Sequence, residues 1–429
     1  MTAASDPPTS GPRPGSARAA LGHAGFRRLW LGAFASNTGT WMQNVVLPAY
    51  LYARTGRASV VGLVVFAQLG PLLLLALPAG VIADRVDRRS WLIAMNAVQM
   101  VCAAVLFPLV AAEAPVWTII GAQLGIGVAS ALSAPTYSAA IPALVGTRDL
   151  PGAISLNSVQ LNGSRVVGPV IAAVLASWGM STSQFFLVNA ATYLFVLAAL
   201  WGLRIPRAAP RPDEPRGWRQ LAVGIQIVRS RPALSRVLLS LTTFSLLSLP
   251  YIGLFPAIAE MSFGVPARSS TFKWLYATWG LGAMLGALAV GTAFVGWDVR
   301  RLIRRSLAAF AVLLGLFAVA DSVWEAFAVG FFLGAAYFAT TTAMMTLIQS
   351  RLADHERGRV MSLWFMAFGG TVPVGNLVFG PVIDAIGARW VLGLGALWAA
   401  VLVWWCDVAR LERSSPPQDL DDALQPRHP

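Results

Sequence analysis

Arg165 lies in the middle of an apolar stretch, with Ser158 and Asn162 preceding it by seven and three residues. On a helix that spacing puts all three on one face. A guanidinium among apolar residues is expensive in lipid, so this face turns toward protein or a water-filled cavity. Two roles fit it: contact with a solute or coupling ion, or pairing with another polar group inside the protein. Asn37, Trp41 and Asn44 form a second polar face, spaced by four and three. Further along, Tyr251 and the group Tyr337, Thr341 and Met344 add aromatic, hydroxyl and thioether surface. Neutral hydrogen-bonding groups in such surroundings suit an amphipathic or apolar solute better than a sugar or an ion. Taken singly, each is also an ordinary packing residue.

The sequence suggests no enzyme. His23, His355 and His428 all fall in tails or loops, and no Ser-His-Asp set or carboxylate pair can be placed in a pocket. The two cysteines, Cys102 and Cys406, sit inside apolar stretches with no metal-ligand spacing, so they read as packing residues. No metal and no cofactor is expected.

The elements that would position these residues follow from composition. Hydrophobic residues are 56% of the 429 and charged residues 12%, and the apolar ones come in long blocks. A helix needs about 20 apolar residues to cross a hydrocarbon layer of roughly 30 Å. Twelve stretches qualify: 28–53, 59–83, 91–111, 116–140, 155–178 and 183–203, then 234–260, 271–296, 302–320, 323–349, 359–384 and 387–408. The expected fold is therefore all-α and integral to the membrane, with twelve transmembrane helices in two six-helix bundles. The bundles are expected over 26–204 and 234–408, between disordered cytoplasmic tails at 1–25 and 409–429. In the connecting segment 205–233, Trp218, Leu221, Ile225 and Val228 recur at helical spacing, which predicts an amphipathic helix on the membrane surface or a continuation into the seventh span. The halves also repeat: Ile141–Leu156 parallels Ile348–Leu363, and Gly168-Pro169 recurs as Gly380-Pro381.

Most of the 32 Lys and Arg residues fall on one side of these spans, which predicts a multi-pass protein of the plasma (inner) membrane with both termini in the cytoplasm. The same loops account for the net charge of +13 by facing anionic lipid, so no nucleic-acid partner is expected.

Between the second and third spans runs Gly80-Val-Ile-Ala-Asp84-Arg85-Val-Asp87-Arg88-Arg89. It resembles the loop motif of the major facilitator superfamily, with Asp87 where that family usually has Gly. The resemblance implies a conformational latch in which Asp84 faces a helix N-terminus or an Arg, near Arg357-Gly358-Arg359, while Arg85, Arg88 and Arg89 meet lipid phosphates or carboxylates. Gly163, Gly168 and Pro169 resemble the helix-bending Gly-Pro motif of that family's exporters, although Ala172 and Ala173 replace the usual glycines. Over 26–408 the chain is similar to the exporter branch that includes enterobactin exporters and macrolide efflux permeases, most clearly in Leu150-Pro-Gly-Ala-Ile-Ser-Leu-Asn157-Ser, Arg165-Val-Val-Gly168-Pro169, Arg357-Gly-Arg-Val-Met-Ser-Leu363 and Gly369-Gly-Thr-Val-Pro373-Val-Gly375. That resemblance implies a monomeric secondary transporter exporting a small molecule (a drug, siderophore or natural product) by alternating access in exchange for protons. Two features depart from it. Gln123 and Gly127 occupy the span where many drug/proton antiporters carry an embedded Arg, and the acids Glu260 and Asp384 stand only near span ends. An uptake permease is the rival within transport, and a non-transporting receptor or scaffold the rival outside it.

Overall fold

The computed structural model describes residues 13–206 and 218–407. Residues 1–12 of the expected N-terminal tail, residue 408 with the expected C-terminal tail 409–429, and the linker core 207–217 lie outside the described residues. The first half contains α1 (Ala17–Gly22), α2 (Ala24–Thr55), α3 (Ala58–Arg85), α4 (Arg88–Ala111), the 62-residue α5 (Val116–Ser177) and α6 (Gln184–Trp201). The second contains α7 (Trp218–Ser230), α8 (Pro232–Leu247), α9 (Pro250–Gly253), α10 (Phe255–Phe263), α11 (Ser270–Gly291), α12 (Val299–Val319), α13 (Val323–Ser350) and α14 (Asp354–Phe365). A π-helical turn, Met366–Gly370, then leads into α15 (Thr371–Ile386) and α16 (Ala388–Trp405). No strand occurs among the described residues.

Ten of these stretches are long and apolar enough to cross a membrane. The expected count of twelve exceeds this by two crossings. One is α2, whose Ser36, Asn37, Thr38, Thr40, Gln43 and Asn44 dilute its apolar character. The other lies within α5: at 1.5 Å per residue, 62 residues run for about 90 Å, three times a hydrocarbon layer. Gly146, at φ 70° and ψ 178°, breaks that helix into two arms. Exposed tryptophans stand at helix ends (Trp117, Trp178, Trp201, Trp324, Trp390 and Trp404), where an aromatic ring meets the headgroup layer.

The chain divides into two compact units: 1–217 with 265–277, and 218–264 with 278–429. Two segments thus differ from the expected bundles. Val265–Ala277, predicted in the second bundle, packs in the first unit, where the Arg268 guanidinium lies 4.9 Å from the Tyr50 ring centre and Trp274 Nε1 donates to Ser177 Oγ at 3.3 Å. Helix α7 belongs to the second unit and is separated from α8 by extended backbone at Arg231. Glycine at 224 lets it approach Arg359 O of α14.

The disorder expected through residue 25 is also corrected. Ser16 caps α1 by accepting from Ala19 N, and Ala20 and Phe26 bury against Ile141, Val145, Ala153 and Leu156 of α5. Asp149 fixes the segment, accepting from Gly15 N at 2.9 Å and pairing with His23 Nε2 at 2.9 Å. Tail composition hid this because its apolar content is only a few residues, all spent on one contact.

Candidate functional site

In the first unit, Arg165 and Trp41 come together: the guanidinium carbon lies 5.1 Å from the centre of the indole ring. Both side chains are half-buried, and the ring face attracts the cation. Gly168 is what lets α5 approach α2 closely enough for this. A Cβ there would sit 2.7 Å from Thr38 O and from Trp41 Cβ, and one at Gly163 would press on Phe34. Pro169, one residue on, is buried in the same helix. Ser158 and Asn162 remain exposed on the Arg165 helix, with Ser158 Oγ donating to Ile154 O and Asn162 Nδ2 to Ser158 O. On α2, Asn37 is half-buried, and Asn44 Oδ1 is buried with no hydrogen-bond partner. Tyr276 of α11, which the sequence did not single out, interacts electrostatically with Arg165.

Behind this face runs a buried neutral network that sequence reasoning missed. Asn189 Nδ2 donates to Gln43 Oε1 at 2.6 Å, and Gln43 Nε2 donates to Gln123 Oε1 at 2.8 Å. Tyr193 shares a hydrogen bond with Thr40 at 3.0 Å and donates to Gln99 Oε1. Amides on α2, α5 and α6 thus satisfy one another in the buried interior of the unit. Gln123, standing where an Arg is common in antiporters, is a link in this brace. The available signal was several amide side chains inside separate apolar spans.

In the second unit Tyr251 and Tyr337 belong to an aromatic series. Trp279 Nε1 donates to the Tyr251 hydroxyl at 3.1 Å, and the Trp279 and Tyr337 rings stack with centres 5.9 Å apart. Tyr337 then stacks on Phe368 at 6.3 Å, and Phe368 on Trp364 at 6.4 Å. Phe368 is half-buried and stands on the π-helical turn. One-turn π segments of this kind are frequent at functional sites. Thr341 and Met344 are buried, and the Thr341 hydroxyl is taken up by Tyr337 O of its own helix. Trp279 and Phe368 went unnoticed because aromatic residues abound in membrane spans, and only the folded helices select which ones stack.

The loop motif spans the junction of α3 and α4. Asp87 caps α4, its Oδ1 accepting from Ser90 N at 2.9 Å, so a carboxylate starts this helix where the family pattern has Gly. Arg88 donates to Ala139 O and Pro206 O, both at 3.3 Å, and Arg89 donates to Leu200 O and Trp201 O at the C-terminus of α6. These guanidiniums meet backbone carbonyls, and those bound by Arg89 carry the partial negative charge of a helix C-terminus. Arg85 is exposed, a Cβ at Gly80 would meet nothing within 4 Å, and the Asp84 side chain lies outside the description. On the second unit, Arg231 holds Glu356 through two hydrogen bonds of 2.8 Å, tying α7 to the start of α14. Among the described residues no three His, Cys, Asp or Glu side chains stand together as a metal site.

Comparison with known proteins agrees with this architecture. The chain matches the family described as transmembrane secretion effector over residues 15–424. It is 25% identical over 397 residues to macrolide efflux protein A of Streptococcus pyogenes, covering 87% of this chain and 93% of that one. It is 27% identical over 387 residues to the enterobactin exporter EntS of Salmonella typhimurium, covering 88% and 87%. Among solved structures, the nucleoside transporter NupG superposes with a TM-score of 0.70 at 12% identity, covering 90% of this chain and 99% of that one. That last likeness is one of fold, whereas the family match spans nearly the whole sequence: the chain belongs to the transmembrane secretion effector family of the major facilitator superfamily.

Proposed function

We propose that the protein exports small hydrophobic or amphipathic molecules by alternating access in exchange for protons. The observation that carries this reading is the site chemistry of each unit: a half-buried Arg165 on the face of Trp41 in one, and a stacked aromatic series that includes half-buried Phe368 in the other. Flat apolar faces with few, mostly neutral polar groups bind drug-like or natural-product scaffolds better than sugars. Relatives named for macrolide efflux and enterobactin export support the outward direction. In this reading the protein works as a monomer in the plasma membrane, and the distribution of its Arg residues supports placing both termini in the cytoplasm. The latch role of Gly80, Asp84, Arg85, Arg88 and Arg89 is part of the same proposal.

Cells with and without the protein, exposed to a panel of macrolides, other toxic lipophiles and siderophores, provide the test. An exporter raises tolerance to at least one compound, and R165A removes that tolerance at equal protein level. A permease for uptake would sensitise the cells, and a scaffold would leave every sensitivity unchanged.

A further inference from the structure

Arg165 is the one Lys, Arg, Asp or Glu that stands more than three residues inside any of the twelve expected spans. The carboxylates those spans include are Glu260, Glu325, Asp384 and Asp407, and each lies within three residues of an end. At the depth of Arg165 the chain therefore brings one positive charge and no negative one. Polar groups near that depth in the first unit, such as Gln43, Gln123, Asn189 and Thr40, are neutral and bonded to one another or to Tyr193. They balance a charge of neither sign.

The structure sets this cation beside a stripe of rings. Trp30, Phe34 and Trp41 follow one another along α2 at steps of four and seven, which places them on one face, and all three are half-buried. The Trp30 and Phe34 rings stack with centres 5.7 Å apart and planes inclined by 7°. Trp30 Nε1 donates to Leu156 O of α5 at 2.8 Å, and a Cβ at Gly163 would lie 3.3 Å from the Phe34 ring. The second arm of α5 thus runs along the stripe and delivers the Arg165 guanidinium to the Trp41 ring, 5.1 Å from its centre. Contact with an indole engages the flat side of a guanidinium. Its N–H groups lie in the plane, in the fork that matches the two oxygens of a carboxylate.

Solutes of opposite charge would fare differently here. A solute bearing an ammonium would meet a like charge in surroundings where repulsion is several times stronger than in water, with no carboxylate at that depth to replace its hydration. A carboxylate would exchange its hydration for a charge-assisted pair. We propose that the cargo is a flat amphipathic anion: its carboxylate meets Arg165, its ring lies along Trp30, Phe34 and Trp41, and cationic amines are rejected. This rests on the export reading and narrows its substrate class.

Three probes that share one ring system and differ in charge test this: naphthaleneacetate, the neutral naphthaleneacetamide and the cationic naphthylethylamine. Equilibrium binding of each radiolabelled probe is measured at neutral pH on the full-length protein in phosphatidylcholine nanodiscs. The carboxylate is expected to bind about tenfold or more tighter than the amide, and the amine more weakly than either. R165K keeps the cation and should keep this ranking, whereas R165Q should bring the carboxylate to within about threefold of the amide. If wild type binds the amine as tightly as the carboxylate, or binds no carboxylate, the proposal is overturned without recourse to any variant. An R165Q protein that keeps the tenfold preference also overturns it, because the anion would then be held elsewhere. Energised everted vesicles, compared with vesicles lacking the protein, supply the transport arm: uptake of naphthaleneacetate is expected and uptake of naphthylethylamine is not. Should vesicles accumulate neither these probes nor any macrolide or siderophore while the binding preference holds, the export reading fails and the anion site stands. Accumulation of panel compounds without a binding preference for the carboxylate has the reverse meaning.

Discussion

Replacing Asp87 by Ala removes the acceptor that holds the first turn of α4, while Arg88 and Arg89 beside it keep their carbonyl partners. Loss of such a cap costs about 1 kcal/mol, so D87A should lower the apparent melting temperature of the purified protein, and D87N or D87S should restore most of it. At Arg165 the test separates charge from shape. R165K keeps the cation but gives up the planar face laid on Trp41, so it should weaken transport of an aromatic probe less than R165A yet more than a neutral change elsewhere on α5. Sequence alone made Arg165 conspicuous, since a charge inside an apolar span demands explanation. It could not pick Trp41 as its partner over the other polar residues of α2, because that choice depends on how closely Gly168 lets the two helices meet. The Gln43–Gln123–Asn189 brace was hidden for a related reason: three amides on three helices have no shared spacing to reveal them.

Helices pack here through small residues at defined crossings. Gly168 of α5 faces Thr38 O and Trp41 of α2, and in the second unit Gly375 of α15 faces Leu246 O of α8 and Pro250 of α9. Gly168→Leu should therefore prevent correct assembly, seen as loss of the folded protein in detergent, whereas Gly80→Ala should be accepted without loss of stability. The strap of residues 13–23 makes a different prediction. Asp149 lies in the second arm of α5, three residues past the break at Gly146 and outside the expected spans, and its carboxyl is held below the usual carboxylate range by the Gly15 N–H first and by His23 next. A depressed carboxyl stabilises the fold above its unfolded value, and that contribution is lost as pH falls through the lowered one. Trypsin cleavage at Arg18 and Arg27 should accordingly quicken in D149N at neutral pH, and in the wild type upon acidification. Ten stretches, not the expected twelve, are long and apolar enough to cross, but the all-helical, membrane-spanning character and the order of the apolar blocks were legible in the sequence. The strap and the π-helical turn at Met366–Gly370 were not, because a short segment held by one carboxylate and one extra residue per turn leave no periodic trace.

For the whole molecule, the two-fold layout was readable from the linker and the repeated motifs, but the allotment of Val265–Ala277 to the first unit was not. That stretch follows a helix of the second unit in sequence, and only its contacts with Tyr50 and Ser177 show where it packs. The central claim is outward, energy-driven movement of a small molecule. Everted membrane vesicles measure it most directly, because their interior corresponds to the outside of the cell. On energisation, vesicles containing the protein should accumulate a labelled macrolide or siderophore above the level of vesicles lacking it, and collapse of the pH gradient should release it. Equal accumulation in both vesicle types across the compound panel, or energised loss of solute from vesicles containing the protein, would contradict the account.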